Sequence, residues 1–157
     1  MKKLCLVCSA GGHLEQMKRL ERVYSRCNHF FIGSKNKHAA EFAKNKKSYF
    51  IKNPGRDQDA YNPFNLFISF FQSLRILLKE KPDFIISTGA GIAIPVCYAA
   101  KILGAKIIFI ASAACVSRLN LSSRIIYPIS DLFFVQYEQL KNSCKKAVYG
   151  GNLYDFC

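Results

Sequence analysis

Acidic residues are scarce in this chain of 157 residues. Ten aspartates and glutamates stand against 23 lysines and arginines, giving a formal net charge of +13. This imbalance excludes an acidic surface and indicates an anionic partner, whether nucleic acid, a membrane surface or a phosphorylated substrate. The densest basic patch, residues 35–52, contains six lysines and only Glu41 against them. Such a patch is equally typical of a solvated protein face.

Long hydrophobic runs, repeats and targeting segments are also absent. Lys2 and Lys3 precede only a short apolar run, which Gly11, Gly12 and His13 end, so we expect no signal peptide and a cytoplasmic location. The apolar stretch 84–115 is interrupted by glycines, a proline and two lysines. It therefore predicts a buried strand–helix–strand unit instead of a membrane span.

The sequence contains one C-x-x-C pair of cysteines and no second one. Cys5 and Cys8 form a C-x-x-C spacing inside an apolar run, where residues three apart point to opposite faces of a strand. A zinc site needs a further pair, and the other five cysteines are scattered. We therefore expect reduced core cysteines, no metal and no cofactor.

Apolar runs alternate with helical patterns along the whole chain. The runs predict strands at residues 4–8, 29–33, 48–51, 83–87, 106–111, 132–135 and 147–149. The patterns predict helices at residues 13–24, 36–46, 64–80, 92–103, 120–128 and 137–144. This order is typical of one α/β domain over residues 1–157, a Rossmann-like parallel sheet with helices on both faces.

Two small-residue loops follow strands of this sheet. Ser9, Gly11, Gly12 and His13 end the first strand, and a strand that turns through glycines into a helix presents unpaired N–H groups to an anion. His13 adds a titratable group there. The alternative is a tight turn with a solvated histidine.

The second loop contains Thr88, Gly89, Ala90 and Gly91. The third glycine of a dinucleotide fingerprint is missing, and no carboxylate follows until Asp131, so NAD binding is not expected. Two such loops could cradle a diphosphate, because ligands of parallel sheets bind at the carboxyl ends of strands. Close packing of helix on strand is the alternative.

Two further segments are candidates for ligand contact. Arg56 could grip phosphate oxygens, whereas the pair Asp57 and Asp59 has metal-ligand spacing but is more typical of a polar turn. In the helix at 64–80, a core stripe of Phe67, Phe70, Phe71, Leu74, Leu77 and Leu78 is widened by Phe64, Leu66, Ile68 and Ile76. An apolar excess beside a basic surface is typical of an interfacial helix, with Phe64, Phe67, Ile68 and Phe71 as membrane contacts, although core packing explains much of it.

Taken in order, residues 8–14, 82–83, 87–91, 126–136 and 147–151 resemble a known family. It comprises the acceptor-side subunits of two-part, lipid-linked glycosyltransferases. Members include the eukaryotic subunit of the dolichol-linked UDP-GlcNAc transferase and bacterial capsule and exopolysaccharide proteins. The resemblance implies the N-terminal half of a GT-B enzyme, in which two Rossmann-like domains face each other across a cleft.

The resemblance also implies partners and roles. A separate donor-binding subunit would supply the sugar nucleotide, and this chain would bind a lipid-diphosphate-linked glycan at the cytoplasmic membrane face. The diphosphate would lie at the two glycine loops beside Arg56, and His13 would orient or deprotonate the acceptor hydroxyl.

One segment departs from the family pattern. Members commonly carry a glutamate and an arginine after the fifth strand, where this chain has Ala111 and Cys115, with Arg118 one turn on. This departure puts full activity in question or points to a different acceptor. Two other classes stay open: a stand-alone metal-dependent sugar transferase and a basic module for nucleic acid. The second is disfavoured, because the phenylalanines cluster apart from the lysines.

Overall fold

A parallel sheet of seven strands organises the chain. The computed structural model describes residues 2–55 and 62–155. The strands are β1 Lys3–Cys8, β2 Asn28–Ser34, β3 Ser48–Ile51, β4 Phe84–Gly89, β5 Lys106–Ile110, β6 Leu132–Val135 and β7 Ala147–Tyr149. Their order is β3-β2-β1-β4-β5-β6-β7, and every neighbouring pair is parallel. The predicted α/β fold and all seven predicted strands are confirmed.

The helices connect these strands. They are α1 Gly12–Arg19, α2 Glu21–Tyr24, α3 Lys37–Ala43, α4 Pro63–Glu80, α5 Ala93–Ile102, α6 Leu121–Ile126 and α7 Glu138–Ser143, with a 3₁₀ turn at Tyr127–Ile129. The single helix predicted at residues 13–24 is wrong, because the backbone tightens at Leu20, whose N–H bonds to Met17 three residues back. The helix predicted at 120–128 likewise ends early, where Pro128 enters the 3₁₀ turn.

Each face of the sheet has its own core. Leu4, Leu6 and Cys8 of β1 pack on one face with residues of α1, whereas Cys5 and Val7 pack on the other with α5. The strand alternation that separates Cys5 from Cys8 is therefore confirmed. Burial raises the pKa of Cys8 to about 12, so this thiol stays protonated and serves as a core side chain.

The core stripe predicted on helix α4 is confirmed only in part, since Leu77 is buried and Phe70 and Leu74 pack half-buried against the core. The fully buried residues of α4 are Ser69, Ser73, Leu77 and Glu80, whereas Phe67, Phe71 and Leu78 of the predicted core stripe are exposed. The two serine hydroxyls donate to carbonyls one turn back, at 2.8 Å and 2.6 Å. Small, internally satisfied side chains allow α4 to pack closely against the sheet and α5, whereas the rings of Phe67 and Phe71 stay outside.

Several carboxylates are used to tie strands together at the amino end of the sheet. Asp83 accepts from the backbone N–H of Lys3 at 2.8 Å, and Asp131 accepts from that of Ile107 at 2.9 Å. Lys2 and Lys106 add ion pairs to them. Both aspartates lie in segments that resemble the family. In this structure they stabilise the sheet by accepting hydrogen bonds from backbone N–H groups of neighbouring strands.

Glu80 is the buried member of a charged cluster at this same end. Its carboxylate accepts from Lys3 Nζ at 2.7 Å, from Lys47 Nζ at 2.9 Å and from the Tyr49 hydroxyl. Burial raises the pKa of Glu80, but these three hydrogen bonds outweigh it and bring the pKa to about 2. Since the folded pKa is depressed, the ionised carboxylate stabilises the fold at neutral pH.

We expect Glu80→Gln to lower the free energy of unfolding at pH 7 by about 2 kcal/mol, because a buried charge-assisted network loses its anion. The contribution is fully present above the ordinary carboxyl pKa of 4.5 and disappears as the pH falls towards 2. Urea denaturation at several pH values measures this, with the exposed Glu41→Gln as the matched control. A deficit that persists unchanged at pH 2 would contradict the assignment.

Candidate functional site

The two small-residue loops meet at the centre of the sheet. β1 and β4 are neighbours, and the chain order runs outward from them in opposite directions. Such a switch point opens a crevice at the carboxyl ends of its two strands. A bulge between Val7 and Cys8 brings Cys8 opposite Gly89, so the loops after both strands emerge side by side. The predicted position of both loops is confirmed.

A reciprocal pair of hydrogen bonds joins these loops. His13 Nδ1 lies 2.8 Å from the carbonyl oxygen of Thr88, and the Thr88 hydroxyl donates to the carbonyl oxygen of His13 at 2.7 Å. Gly89 lies beneath the imidazole with φ of +106°, and a Cβ there would be 3.2 Å from the His13 ring. The position of the His13 ring therefore favours glycine at position 89.

The bond to Thr88 fixes the tautomer of His13. A carbonyl oxygen only accepts, so Nδ1 carries the proton and Nε2 of the neutral ring holds a lone pair. Burial lowers the pKa of His13 below 6.5, and the Thr88 carbonyl only partly opposes this. At neutral pH the imidazole is thus neutral, with a proton acceptor at Nε2.

The backbone of both loops is held in a left-handed conformation. Gly11 has φ of +80° at the start of α1, and Ala90 has φ of +76° before α5. For a residue with a Cβ, such as Ala90, this conformation costs about 1 kcal/mol, and such strain persists where the surroundings enforce it. Side chains at Gly11 and Gly12 would meet open space. In the first turn of α1 the N–H groups of Leu14 and Glu15 bond to the Gly11 carbonyl, whereas those of Gly12 and His13 have no acceptor within the helix.

A cleft of about 250 Å³ opens beside these loops. Four residues predicted from the sequence line it: Ser9, His13, Ala90 and Gly91. Gly11, Gly12, Thr88 and Gly89 shape its backbone without being part of the lining. Sequence reasoning missed the remaining lining residues, which are Asn53, Gly55, Asn120, Leu121 and Ser122. The position of Asn53 and Gly55 just after β3, at the carboxyl edge of the sheet, could have indicated the first two.

The lining carries no carboxylate and no lysine among the described residues. Asn53 Oδ1 accepts from the Gly55 N–H at 3.2 Å, and Asn120 Oδ1 accepts from the Ser123 N–H at 2.9 Å. With both side-chain oxygens used in this way, the amide NH₂ groups remain as donors, and neither donates to another described residue. The cleft is therefore rich in donors and suits an anionic ligand.

Two buried glutamines support the cleft from behind. Gln136 Nε2 donates to Gln16 Oε1 at 2.6 Å and to the Ala111 carbonyl at 2.8 Å. Gln16 also accepts from the Ala113 N–H and donates to the Gly12 carbonyl, both at 3.2 Å. The pair thus connects the turn that carries His13 with the loop after β5. No local sequence signal indicates this pairing, since the residues are 120 positions apart.

The segment that departs from the family pattern lies away from the cleft surface. Ala111 and Cys115 are buried in the core beneath the loop after β5, and Arg118 is exposed. The Ala111 N–H bonds to the Phe134 carbonyl at 2.9 Å, and the Cys115 N–H to that of Ser112 at 2.8 Å. Both positions are therefore packing positions in this chain, and the cleft lining on this side begins at Asn120, after the segment.

The predicted membrane contacts on α4 are mostly at the surface. Phe64, Phe67 and Phe71 are 69%, 63% and 51% exposed, whereas Ile68 is half-buried. Residues 3 and 4 apart share a helix face, so the three rings form one stripe. Within residues 2–55 and 62–155, no helix has the length and apolar character needed to cross a bilayer.

Arg56, Asp57 and Asp59 lie outside the described residues, so their suggested contacts with phosphate or metal stay predictions. In the described part of the chain, no three histidine, cysteine, aspartate or glutamate side chains are grouped in a way that could hold a metal ion.

The strand order and the crevice define a Rossmann-like domain of the GT-B type. The fold resembles MurG of Acinetobacter baumannii, with a TM-score of 0.73 and 15% identity, over 88% of this chain and 43% of that structure. It resembles a UDP-GlcNAc 2-epimerase of Methanocaldococcus jannaschii similarly, with a TM-score of 0.74 and 16% identity over 96% of this chain and 46% of the other. The chain spans less than half the length of either structure.

Residues 4–153 match the family described as "Oligosaccharide biosynthesis protein Alg14 like", and the chain belongs to that family. Among its relatives is the "UDP-N-acetylglucosamine transferase subunit ALG14" of Mus musculus, 27% identical over 96% of this chain and 82% of the relative. The protein of the same description from Candida albicans is 41% identical over 54% of this chain and 42% of its own length. The resemblance inferred from the sequence motifs is confirmed.

We expect the His13 ring to titrate below the value of the same residue in the urea-unfolded chain, because burial disfavours the imidazolium ion. NMR titration of the ring resonances measures the pKa, and the ¹⁵N shifts of the neutral ring should show the proton on Nδ1. The unfolded chain is the internal control. A pKa equal to or above the unfolded value would contradict the buried, neutral imidazole.

Proposed function

We propose that this chain is the acceptor-binding subunit of a heteromeric glycosyltransferase, which moves a sugar from a UDP-sugar to a lipid-diphosphate-linked glycan. The observation that carries the proposal is the donor-rich cleft at the β1–β4 switch point, with a neutral His13 on its wall. Membership of a family whose named relatives are UDP-N-acetylglucosamine transferase subunits supports the reaction class and suggests UDP-GlcNAc as donor. The biosynthesis of a bacterial surface polysaccharide is the setting that we infer.

The acceptor diphosphate is assigned to the two loops. α1 and α5 begin at them, so the partial positive ends of two helix dipoles point towards one cleft. Gly11 and Gly12 leave room for phosphate oxygens to approach the backbone. The amides of Asn53 and Asn120 add donors without adding charge, and Arg56 would supply a cation from the segment beside Gly55.

The proposed reaction is a displacement at the anomeric carbon of the donor sugar. The acceptor hydroxyl oxygen forms the new bond to that carbon, the bond to the UDP oxygen breaks, and UDP leaves with the electron pair. His13 Nε2 takes the hydroxyl proton, while Nδ1 stays bonded to Thr88 and holds the ring in place. The lowered pKa keeps His13 in the proton-accepting form at neutral pH.

The donor site is proposed to lie on a separate chain. A broad apolar sheet face supports this assignment: Ile108, Leu132 and Phe134 form the floor of a groove of about 360 Å³. Leu20 and Leu153 border it, and Leu132 is 46% exposed. An uncovered apolar surface of this kind is typical of a contact with another protein.

Peripheral contact with the inner face of the cell membrane is part of the same proposal. The exposed rings of Phe64, Phe67 and Phe71 lie on one helix with the exposed cations Arg75 and Lys79. Aromatic residues that enter the headgroup region beside lysines and arginines bind anionic bilayers. A lipid-linked acceptor would then reach the cleft from the membrane surface.

The deciding experiment is sugar transfer from labelled UDP-sugars, UDP-GlcNAc first, to a lipid-diphosphate glycan in vesicles. The chain is assayed alone and together with the protein encoded beside its gene. We expect transfer only in the presence of the second protein. Transfer by the chain alone would place a donor site on it, and no transfer in either case would refute a catalytic role.

In the active pair, we expect His13→Ala to lower kcat about 10²- to 10⁴-fold, the usual contribution of a positioned general base. Co-purification of the two proteins should be unchanged, since His13 lies in the cleft and not on the apolar sheet face. His38→Ala, at an exposed position on α3, is the matched control. Near-normal turnover of His13→Ala would remove this residue from the mechanism.

A further inference from the structure

A second concave surface lies between α4 and α5 on the face of the molecule that carries the exposed phenylalanines. It is a groove of about 440 Å³, and almost all of its lining is apolar. Phe67 and Phe70 of α4 form one wall, Pro95 and Tyr98 of α5 form the other, and Ile125 of α6 closes one side. Its volume lies within the range of small-molecule sites.

Polar groups at the groove are already satisfied. The Tyr98 hydroxyl donates to the carbonyl oxygen of Ile125 at 3.2 Å, so the polar tip of this wall already has a partner. On the other wall the rings of Phe67 and Phe71 meet edge to face, with centroids 4.7 Å apart. The groove therefore offers aromatic and aliphatic surface and suits a hydrocarbon.

The groove begins where the polar cleft ends. α6 contributes Leu121 to the cleft and Ile125, four residues later, to the groove. Gly91 lines the cleft just before α5, and Pro95 lines the groove one turn further along. Four residues make about one helical turn and rise about 6 Å along a helix. The lining of the groove therefore starts about 6 Å beyond the lining of the cleft. A ligand that fills both must carry a polar group directly attached to an apolar chain.

We propose that this groove binds the first hydrocarbon units of the lipid whose diphosphate lies in the cleft. The inference rests on the proposed function for the identity of that diphosphate. The hydrocarbon of the lipid leaves the bilayer and lies between α4 and α5. There it contacts Pro95, Tyr98 and Ile125, which the sequence did not suggest as ligand contacts.

The continuity of the two surfaces favours a lipid chain over other occupants. A flat bilayer contact would use the exposed stripe of α4 but would leave the concave wall of Tyr98 and Ile125 empty. A partner polypeptide could fill the groove. A polypeptide would not, however, explain why the groove lies next to a donor-rich cleft. An amphiphile with adjacent diphosphate and hydrocarbon accounts for both.

Binding of farnesyl diphosphate, compared with inorganic diphosphate, tests the groove without any sugar transfer. Calorimetry on the intact chain should give an affinity at least tenfold higher for farnesyl diphosphate, since burial of two methylene groups corresponds to about that ratio. Phe67→Ser and Tyr98→Ser should each remove most of this advantage and leave the affinity for inorganic diphosphate unchanged. Both positions are exposed enough to tolerate serine.

Two control variants distinguish binding of farnesyl diphosphate in the groove from nonspecific binding to exposed apolar residues. Leu78→Ser removes an exposed apolar residue of α4 outside the groove, and Tyr98→Phe keeps the ring but loses the bond to Ile125. Both should bind farnesyl diphosphate like the unmodified chain. Equal affinities for the two ligands, or an equal loss in Leu78→Ser, would overturn the proposal and leave the groove to a partner polypeptide. Binding of farnesyl diphosphate without any binding of inorganic diphosphate would keep the groove but refute the cleft assignment.

Discussion

The hydrogen-bonded junction of His13 and Thr88 is the contact on which the arrangement of the site depends. It joins the turns after β1 and β4, which are 75 residues apart in sequence and adjacent only because the sheet order reverses there. Each residue uses its side chain in one hydrogen bond and its backbone carbonyl oxygen in the other. The two bonds together hold the loops in contact and prevent them from sliding past each other. Gly89 and Ala90, which both have a positive φ, follow this junction directly, and a Cβ at Gly89 would lie 3.2 Å from the imidazole.

Charge is distributed unevenly between the two ends of the sheet. At the amino end, Glu80, Asp83 and Asp131 are neutralised by lysines and hold strands together, so much of the small acidic content serves the fold. At the carboxyl end, the cleft lining lacks carboxylates in its described part. The net charge of +13 therefore indicates an anionic partner without locating its site, because the anion site that we propose in the cleft would use N–H groups and amides and no lysine of the described lining.

The sequence predicts the strands and the two glycine loops well, because period-two apolar runs and glycine turns are local signals. It predicts side-chain partners poorly. Gln16 and Gln136 form one buried pair across 120 residues, and neither residue type marks a site by itself. The orientation of α4 is predicted only in part, since two serines that bond to their own helix share the buried face with Leu77, while Phe67 and Phe71 are exposed. Local pattern thus locates the site, whereas its lining depends on tertiary contacts.

One structural constraint links the polar cleft to the apolar groove. The loop that leads into α5 lines the cleft and α5 itself lines the groove, whereas α6 contributes its first turn to the cleft and Ile125, one turn later, to the groove. Rigid helices fix this spacing. The polar head and the hydrocarbon of an amphiphile would therefore be positioned by the same helices. The stripe of exposed rings on α4 borders the groove on its outer side. A lipid could then pass from the bilayer along α4 into the groove while its diphosphate enters the cleft, where His13 is already oriented by Thr88.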